Sequence, residues 1–109
     1  MNITIKATNL ELTPELRAYI EEKFQHLTHY FDNILEAHIE IAKTTRHHQK
    51  GEIFYAEANL RVPAKGVLRV EKTEKDIYKA IDKVKDHFKE ELIRYKEKLR
   101  GHPFRLDKE

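Results

Sequence analysis

Phe54-Tyr55-Ala56-Glu57-Ala58-Asn59-Leu60-Arg61-Val62 is the stretch on which the fold turns. Phe54, Ala56, Ala58, Leu60 and Val62 alternate with Tyr55, Glu57, Asn59 and Arg61. A period of two predicts a strand with one apolar face and one polar face. The segments on either side read the same way. Downstream, Pro63 to Gly66 is a short hairpin turn, and Val67 to Lys72 is a strand with Leu68 and Val70 facing in. Upstream, Thr45 to Gly51 is a polar turn carrying Arg46, His47, His48 and Lys50. Before it, Ile34 to Thr44 is a strand with Ala37, Ile39 and Ile41 on one side and His38 and Glu40 on the other. Asn2 to Thr8 alternates as well, with Ile3, Ile5 and Ala7 inward.

Two segments change period. In Leu12-Thr13-Pro14-Glu15-Leu16, Thr13 is a helix N-cap, Pro14 takes the first helical position, and Glu15 sits at the positive end of the dipole. Leu16, Ile20, Phe24, Leu27 and Phe31 form one stripe on a helix expected to reach about Tyr30, where Asp32-Asn33 breaks it. Thr73-Glu74-Lys75-Asp76 reads as a capping-box-like start. Ile77, Ile81, Val84, Phe88, Leu92, Tyr95 and Leu99 then mark a long amphipathic helix expected to end at Gly101, with Pro103 beyond. His102 to Glu109 has no period and is expected to be a loose tail.

The order is β-α-β-β-β-α, an α+β domain over residues 1–100 with a flexible tail at 101–109. The first two strands are joined through a helix and should be parallel. The others are joined by short turns and should be antiparallel. Two helices are expected on one face of a four-stranded mixed sheet. The other face should be wet and carry Lys6, Glu40, Tyr55, Glu57, Asn59, Arg61 and Arg69. The α-β-β-β-α part has the element order of a double-stranded-RNA-binding domain, which is only a hint of function.

Composition removes several functions. At 109 residues the chain is expected to be one domain. With no Cys, it has no thiol nucleophile, no disulfide scaffold and no thiolate zinc site. Ser is absent, and the three Gly stand apart at 51, 66 and 101, so neither a serine nucleophile nor a phosphate loop is present. No apolar run approaches the roughly 20 residues of a membrane helix. The N-terminus does not read as a signal peptide, and a cytoplasmic location is expected. His26 and His29 are neighbours at i, i+3 but lack a third ligand, so they read as rim histidines and no metal is expected. Glu40 and Glu57 could imitate a carboxylate pair, yet pairing with Arg61 and Arg69 explains them as well. Phe24, Phe31, Phe54, Phe88 and Tyr95 fall at core spacing, and Tyr55 is the aromatic on the open face. No acid, base and nucleophile converge, so neither an enzyme nor a cofactor is expected.

Charge is the remaining signal. The whole chain carries +2 with His neutral, whereas Lys75 to Arg100 alone holds nine basic and six acidic residues, a net of +3. At about 100° per residue, Lys85, Lys89, Lys96 and Arg100 fall on one flank of the apolar stripe. Lys79, Lys83, Arg94 and Lys98 fall on the other, and many carboxylates lie outermost between them. Rows of ammonium groups can follow a phosphate backbone and release its counterions. The plainer alternative is a solubilising helix surface. Lys85 and Lys89 are expected to tolerate charge reversal without loss of stability.

Two blocks resemble a known family. Leu12-Thr13-Pro14-Glu15-Leu16-Arg17, Lys23-Phe24 and Leu27 with Tyr30-Phe31-Asp32 resemble the first helix of the ribosome hibernation-promoting factors. This family includes ribosome-associated inhibitor A, or protein Y, and the sigma-factor modulation proteins. Glu74-Lys75-Asp76-Ile77-Tyr78-Lys79-Ala80-Ile81-Asp82 resembles the family's second-helix motif, and Arg94-Tyr95-Lys96 with Lys98 its basic end. One departure is His87-Phe88-Lys89-Glu90-Glu91-Leu92, with Glu where Arg is common. The resemblance covers residues 1 to about 100 and is closest to the short forms.

The resemblance implies a non-enzymatic factor of the same fold. It would bind the small ribosomal subunit and intact ribosomes in the channel used by messenger RNA and the A- and P-site transfer RNAs, and block translation in stationary phase or stress. By matching position, Arg17, Lys23, Arg94, Lys96 and Lys98 are the implied RNA contacts. Lys79, Lys83, Lys85 and Lys89 are added by stripe geometry. A monomer is expected off the ribosome, with no membrane partner. The competing reading is a protein-interaction module that uses the open sheet face.

Overall fold

The computed structural model describes residues 1–45, 52–63 and 66–99. The turn residues Arg46, His47, His48 and Lys50, the flank residue Arg100, the helix end at Gly101 and the 101–109 tail lie outside the described residues.

The chain runs β1 Asn2–Thr8, α1 Pro14–Gln25, a 3₁₀ turn His26–His29, β2 Glu36–Thr45, β3 Glu52–Val62, β4 Gly66–Glu74 and α2 Ile77–Leu99. The strands form one sheet in the order β1-β2-β3-β4. β1 is parallel to β2, and the other two pairings are antiparallel. This is the expected mixed α+β architecture.

Register sorts the two faces. Ile5, Ile39, Ala58 and Val70 make one row across the inner face, and Ile3, Ala37, Leu60 and Leu68 make the next. Ala37, Ala56 and Ala58 are fully covered. Their small side chains let large helical residues approach the sheet. Phe24, Phe88, Ile20, Leu27 and Leu92 fill that space and are also fully buried. Each such side chain stabilises the fold by roughly 1.5–3 kcal/mol through burial. Three edge-to-face aromatic pairs join the α1 segment to α2: Tyr19 with Tyr78 at 4.8 Å, Phe24 with Phe88 at 6.3 Å and Phe31 with Tyr95 at 5.1 Å. α2 lies against β3 and β4, and α1 with its 3₁₀ turn lies against α2.

Three local features differ from expectation. α1 ends at Gln25 and tightens into a 3₁₀ turn before Tyr30. The Thr28 hydroxyl donates to the Gln25 carbonyl at 2.7 Å, and the Tyr30 and Phe31 amides both donate to the Leu27 carbonyl. The shorter of the two amide bonds, from Tyr30 at 2.9 Å, is the i→i−3 bond of a 3₁₀ turn, and the Thr28 side chain takes a carbonyl at the helix end. Thr73 does not cap α2. It lies in β4, paired with Tyr55, because the 11-residue β3 offers partners as far as Glu74. Asp76 provides the cap, its Oδ1 accepting the Tyr78 amide at 2.9 Å. β4 itself begins one residue early, at Gly66, whose φ of +98° suits a residue without a Cβ.

Candidate nucleic-acid interface

The cations of α2 divide between two flanks, as the helical spacing requires. One flank faces α1 and the 3₁₀ turn. There Lys89 holds its ammonium 5.4 Å from the centroid of the Tyr30 ring. Lys96 lines a groove with His29, Tyr30, Ile93 and Glu97. Lys85 belongs to the same flank but is less free. Its side chain is only 17% exposed, with the ammonium 3.9 Å from Asp86. The aliphatic stem is covered while the charge reaches the rim. The expectation of a freely reversible Lys85 is therefore corrected, whereas Lys89 is exposed.

The other flank faces β4. Lys83 donates to Glu74 at the end of that strand and holds its carboxyl below the usual range. Lys79 stands beside the same carboxylate in a depression lined by Ile53, Thr73, Glu74, Lys75 and Asp76. Arg94 donates to Glu91 at 2.7 Å, and His87 lies 3.8 Å from the same oxygen. Glu91, at the departure from the family pattern, thus faces β4 and occupies the guanidinium of Arg94. Arg94 and Lys98 border a small recess over Leu68 and Tyr95.

α1 contributes unequally. The Asp82 carboxylate of α2 accepts the Tyr19 hydroxyl at 2.5 Å and lies 3.4 Å from the Lys23 ammonium. Lys23 also lies 5.1 Å from the Tyr19 ring centroid, and Tyr19 meets Tyr78 edge-on at 4.8 Å. Partial desolvation works against the Lys23 charge, but Asp82 and Tyr19 outweigh it and its pKa is raised. Burial, and then the bond to Asp82, push the Tyr19 hydroxyl up as well. Arg17 stands about 120° around α1 from Lys23 and pairs with Glu21 at 3.7 Å. The fold therefore brings Lys23, Lys85, Lys89 and Lys96 to one seam. Lys79, Lys83, Arg94 and Lys98 line the opposite flank, and Arg17 joins neither.

The open sheet face is occupied by its own side chains. Lys6, Glu40, Glu57 and Glu71 form a row across the four strands, next to Thr4, His38, Asn59 and Arg69. Arg69 donates to Glu57 and Glu71, each at 2.8 Å. The Tyr55 hydroxyl reaches the same two carboxylates at 2.5 and 2.9 Å, and Asn59 adds a bond to Glu57 at 3.2 Å. Arg69, then Tyr55, hold the Glu57 carboxyl down at about 2. It stays ionised at neutral pH and cannot act as a general acid there. Tyr55 serves this network through its hydroxyl.

Sequence reading missed the groove beside Tyr30. Its lining comes from residues more than 60 positions apart, and only the exposed Ile93, off the apolar stripe, signals it. Among the described residues no group of three metal-binding side chains occurs. No described helix is long and apolar enough to cross a membrane.

Comparisons with known proteins agree with this fold. A family model described as sigma 54 modulation protein / S30EA ribosomal protein matches residues 3–100. A ribosome hibernation promoting factor of Klebsiella oxytoca is 32% identical over 104 residues, 94% of this chain and 100% of the relative. A ribosome hibernation promotion factor of Deinococcus radiodurans is 32% identical over 93 residues, 84% of this chain. The chain spans about half of that relative, 47% of its length. The crystal structure of the Thermus thermophilus protein Y N-terminal domain superposes with a TM-score of 0.74 at 30% identity, covering 87% of this chain and 99% of that one.

Proposed function

Because the chain belongs to the sigma 54 modulation protein / S30EA ribosomal protein family, we propose that it is a ribosome hibernation factor. It binds the small ribosomal subunit and its ribosomal RNA, alone or in intact ribosomes. It lies in the decoding channel, where messenger RNA and the A- and P-site transfer RNAs would run. Translation stops by occlusion, during stationary phase or stress. The protein acts in the cytoplasm as a monomer off the ribosome, by binding and without catalysis or cofactor.

One observation carries this reading beyond the family. Lys85, Lys89 and Lys96 line one side of α2 at intervals of four and seven residues, about 6 and 11 Å along the axis. A row of that kind can track a phosphate chain, with one counterion released at each contact. Lys79, Lys83, Arg94 and Lys98 provide a second row, Lys23 extends the first from α1, and Arg17 stands apart from both as a separate contact. The mutual pairing of Tyr55, Glu57, Arg69 and Glu71 leaves less of the open sheet face for a protein partner.

The test is co-sedimentation of the purified protein with separated small and large bacterial subunits and with whole ribosomes, at two salt concentrations. Binding to small subunits and whole ribosomes is expected. It should weaken steeply with salt and disappear when messenger and transfer RNA fill the channel. Binding that ignores salt, or that persists beside bound transfer RNA, overturns the reading.

A further inference from the structure

The groove between the 3₁₀ turn and the last third of α2 combines three properties. First, it offers flat and apolar surface. Tyr30 is half-buried along its side, and Ile93 is 40% exposed although it lies off the stripe that packs the core. The exposure of Ile93 contributes nothing to the fold. Second, the surface continues onto two imidazoles. His26 and His29 lie at 4.5 Å between ring centroids, since residues i and i+3 eclipse in a 3₁₀ turn. Third, cations frame it. Along α2, Ile93 lies four residues after Lys89 and three before Lys96, so both ammonium groups flank the apolar spot. The ammonium of Lys89 already stands over the Tyr30 ring, which marks that ring as a π surface reachable from solvent.

Phosphate contacts alone do not explain an apolar floor. A nucleobase does, because it presents flat faces and a polar edge on a phosphate chain. We propose that this groove receives one unpaired base of ribosomal RNA. The base stacks on Tyr30 and His29 over Ile93, and its neighbouring phosphates lie on Lys89 and Lys96. The Glu97 carboxylate at the rim repels phosphate and accepts a hydrogen bond from an exocyclic amino group. Cytosine, adenine and guanine carry such a group and uracil does not, so the groove prefers one of those three. The inference rests on the ribosome-binding reading and adds a base-specific subsite to it.

Two experiments on the full chain test it. The first replaces Ile93 with p-benzoylphenylalanine and irradiates the protein on small subunits. A crosslink to a single ribosomal RNA nucleotide that is not uridine is expected. A crosslink to a ribosomal protein, to uridine or to no fixed nucleotide overturns the proposal. The second compares subunit binding by Tyr30→Leu, His29→Ala and Lys96→Ala across a salt series. Loss of stacking should lower affinity roughly tenfold with an unchanged salt slope. Loss of the Lys96 phosphate contact should flatten the slope instead. His29 is exposed, so its variant keeps the test valid if Tyr30→Leu unfolds the protein. If the stacking variants bind like the parent while Lys96→Ala weakens binding, the base pocket falls and the ribosome-binding reading stands. If the parent itself shows no salt-sensitive binding to small subunits, both fall.

Discussion

The Tyr19 hydroxyl of α1 donates to Oδ1 of Asp82 on α2 over 2.5 Å, linking residues 63 positions apart in the chain. The Lys23 ammonium lies 3.4 Å from the same oxygen. One carboxylate thus ties the helices together on the flank that carries Lys85, Lys89 and Lys96. It orients Lys23 and offsets its charge.

Removing that tie should separate stability from binding. Asp82→Ala is expected to destabilise the fold by about 1 kcal/mol, the net worth of a typical hydrogen bond. Urea unfolding would measure it. Binding to small subunits should not weaken, because the substitution removes a negative charge from the seam. A fall in affinity without a fall in stability would mean that Asp82 touches the partner.

Charge reversal on the exposed part of the seam should do the opposite. Lys89→Glu with Lys96→Glu is expected to shift stability by less than about 0.5 kcal/mol, since both side chains are exposed. The dependence of log affinity on log salt should become shallower by roughly 1.4 or more if two phosphate contacts to single-stranded RNA are lost. Lys85→Glu behaves differently, because its covered stem places the new carboxylate against the helix seam. A lower unfolding midpoint is expected for that variant.

Acid should loosen the open sheet face. The Glu57 carboxyl is held at about 2 in the folded protein, against an ordinary 4.5. A depressed folded pKa contributes stability that is full above the unfolded value and is lost as pH falls toward the folded one. Stability should therefore drop between about pH 4.5 and 2. Arg69→Gln removes the leading cause of the depression, so its urea midpoint should fall less over that interval. A parallel decline in both proteins would assign the acid sensitivity to other carboxylates.

The inter-helix aromatic contact should be critical. Phe88 is fully buried and meets Phe24 edge-on. Phe88→Ala is expected to cost about 3–5 kcal/mol. Against a total of roughly 5–15 kcal/mol for a domain, that loss should lower the thermal unfolding midpoint followed by circular dichroism by well over ten degrees.

Period and punctuation alone carried most of the architecture. The alternation at 54–62 and the spacing of three and four along 77–99 are local signals, because a residue's side is set by its own backbone geometry. The flanks of α2 were legible for the same reason: about 100° per residue places Lys89 and Lys96 together without knowledge of any neighbour. Local reading failed where two elements compete for the same residues. Thr73 has the chemistry of a cap, yet β3 is long enough to draw it into the ladder, and Asp76 caps α2 instead.

What an arriving cation meets could only be decided in three dimensions. Lys23, Lys83 and Arg94 look alike in the sequence, but Asp82, Glu74 and Glu91 respectively stand beside them. Lys89 faces Tyr30, 59 positions away. Hydrophobic period depends on the order of residues along one helix. Charge pairing and groove shape depend on distances between elements, and those exist only once the helices have packed on the sheet.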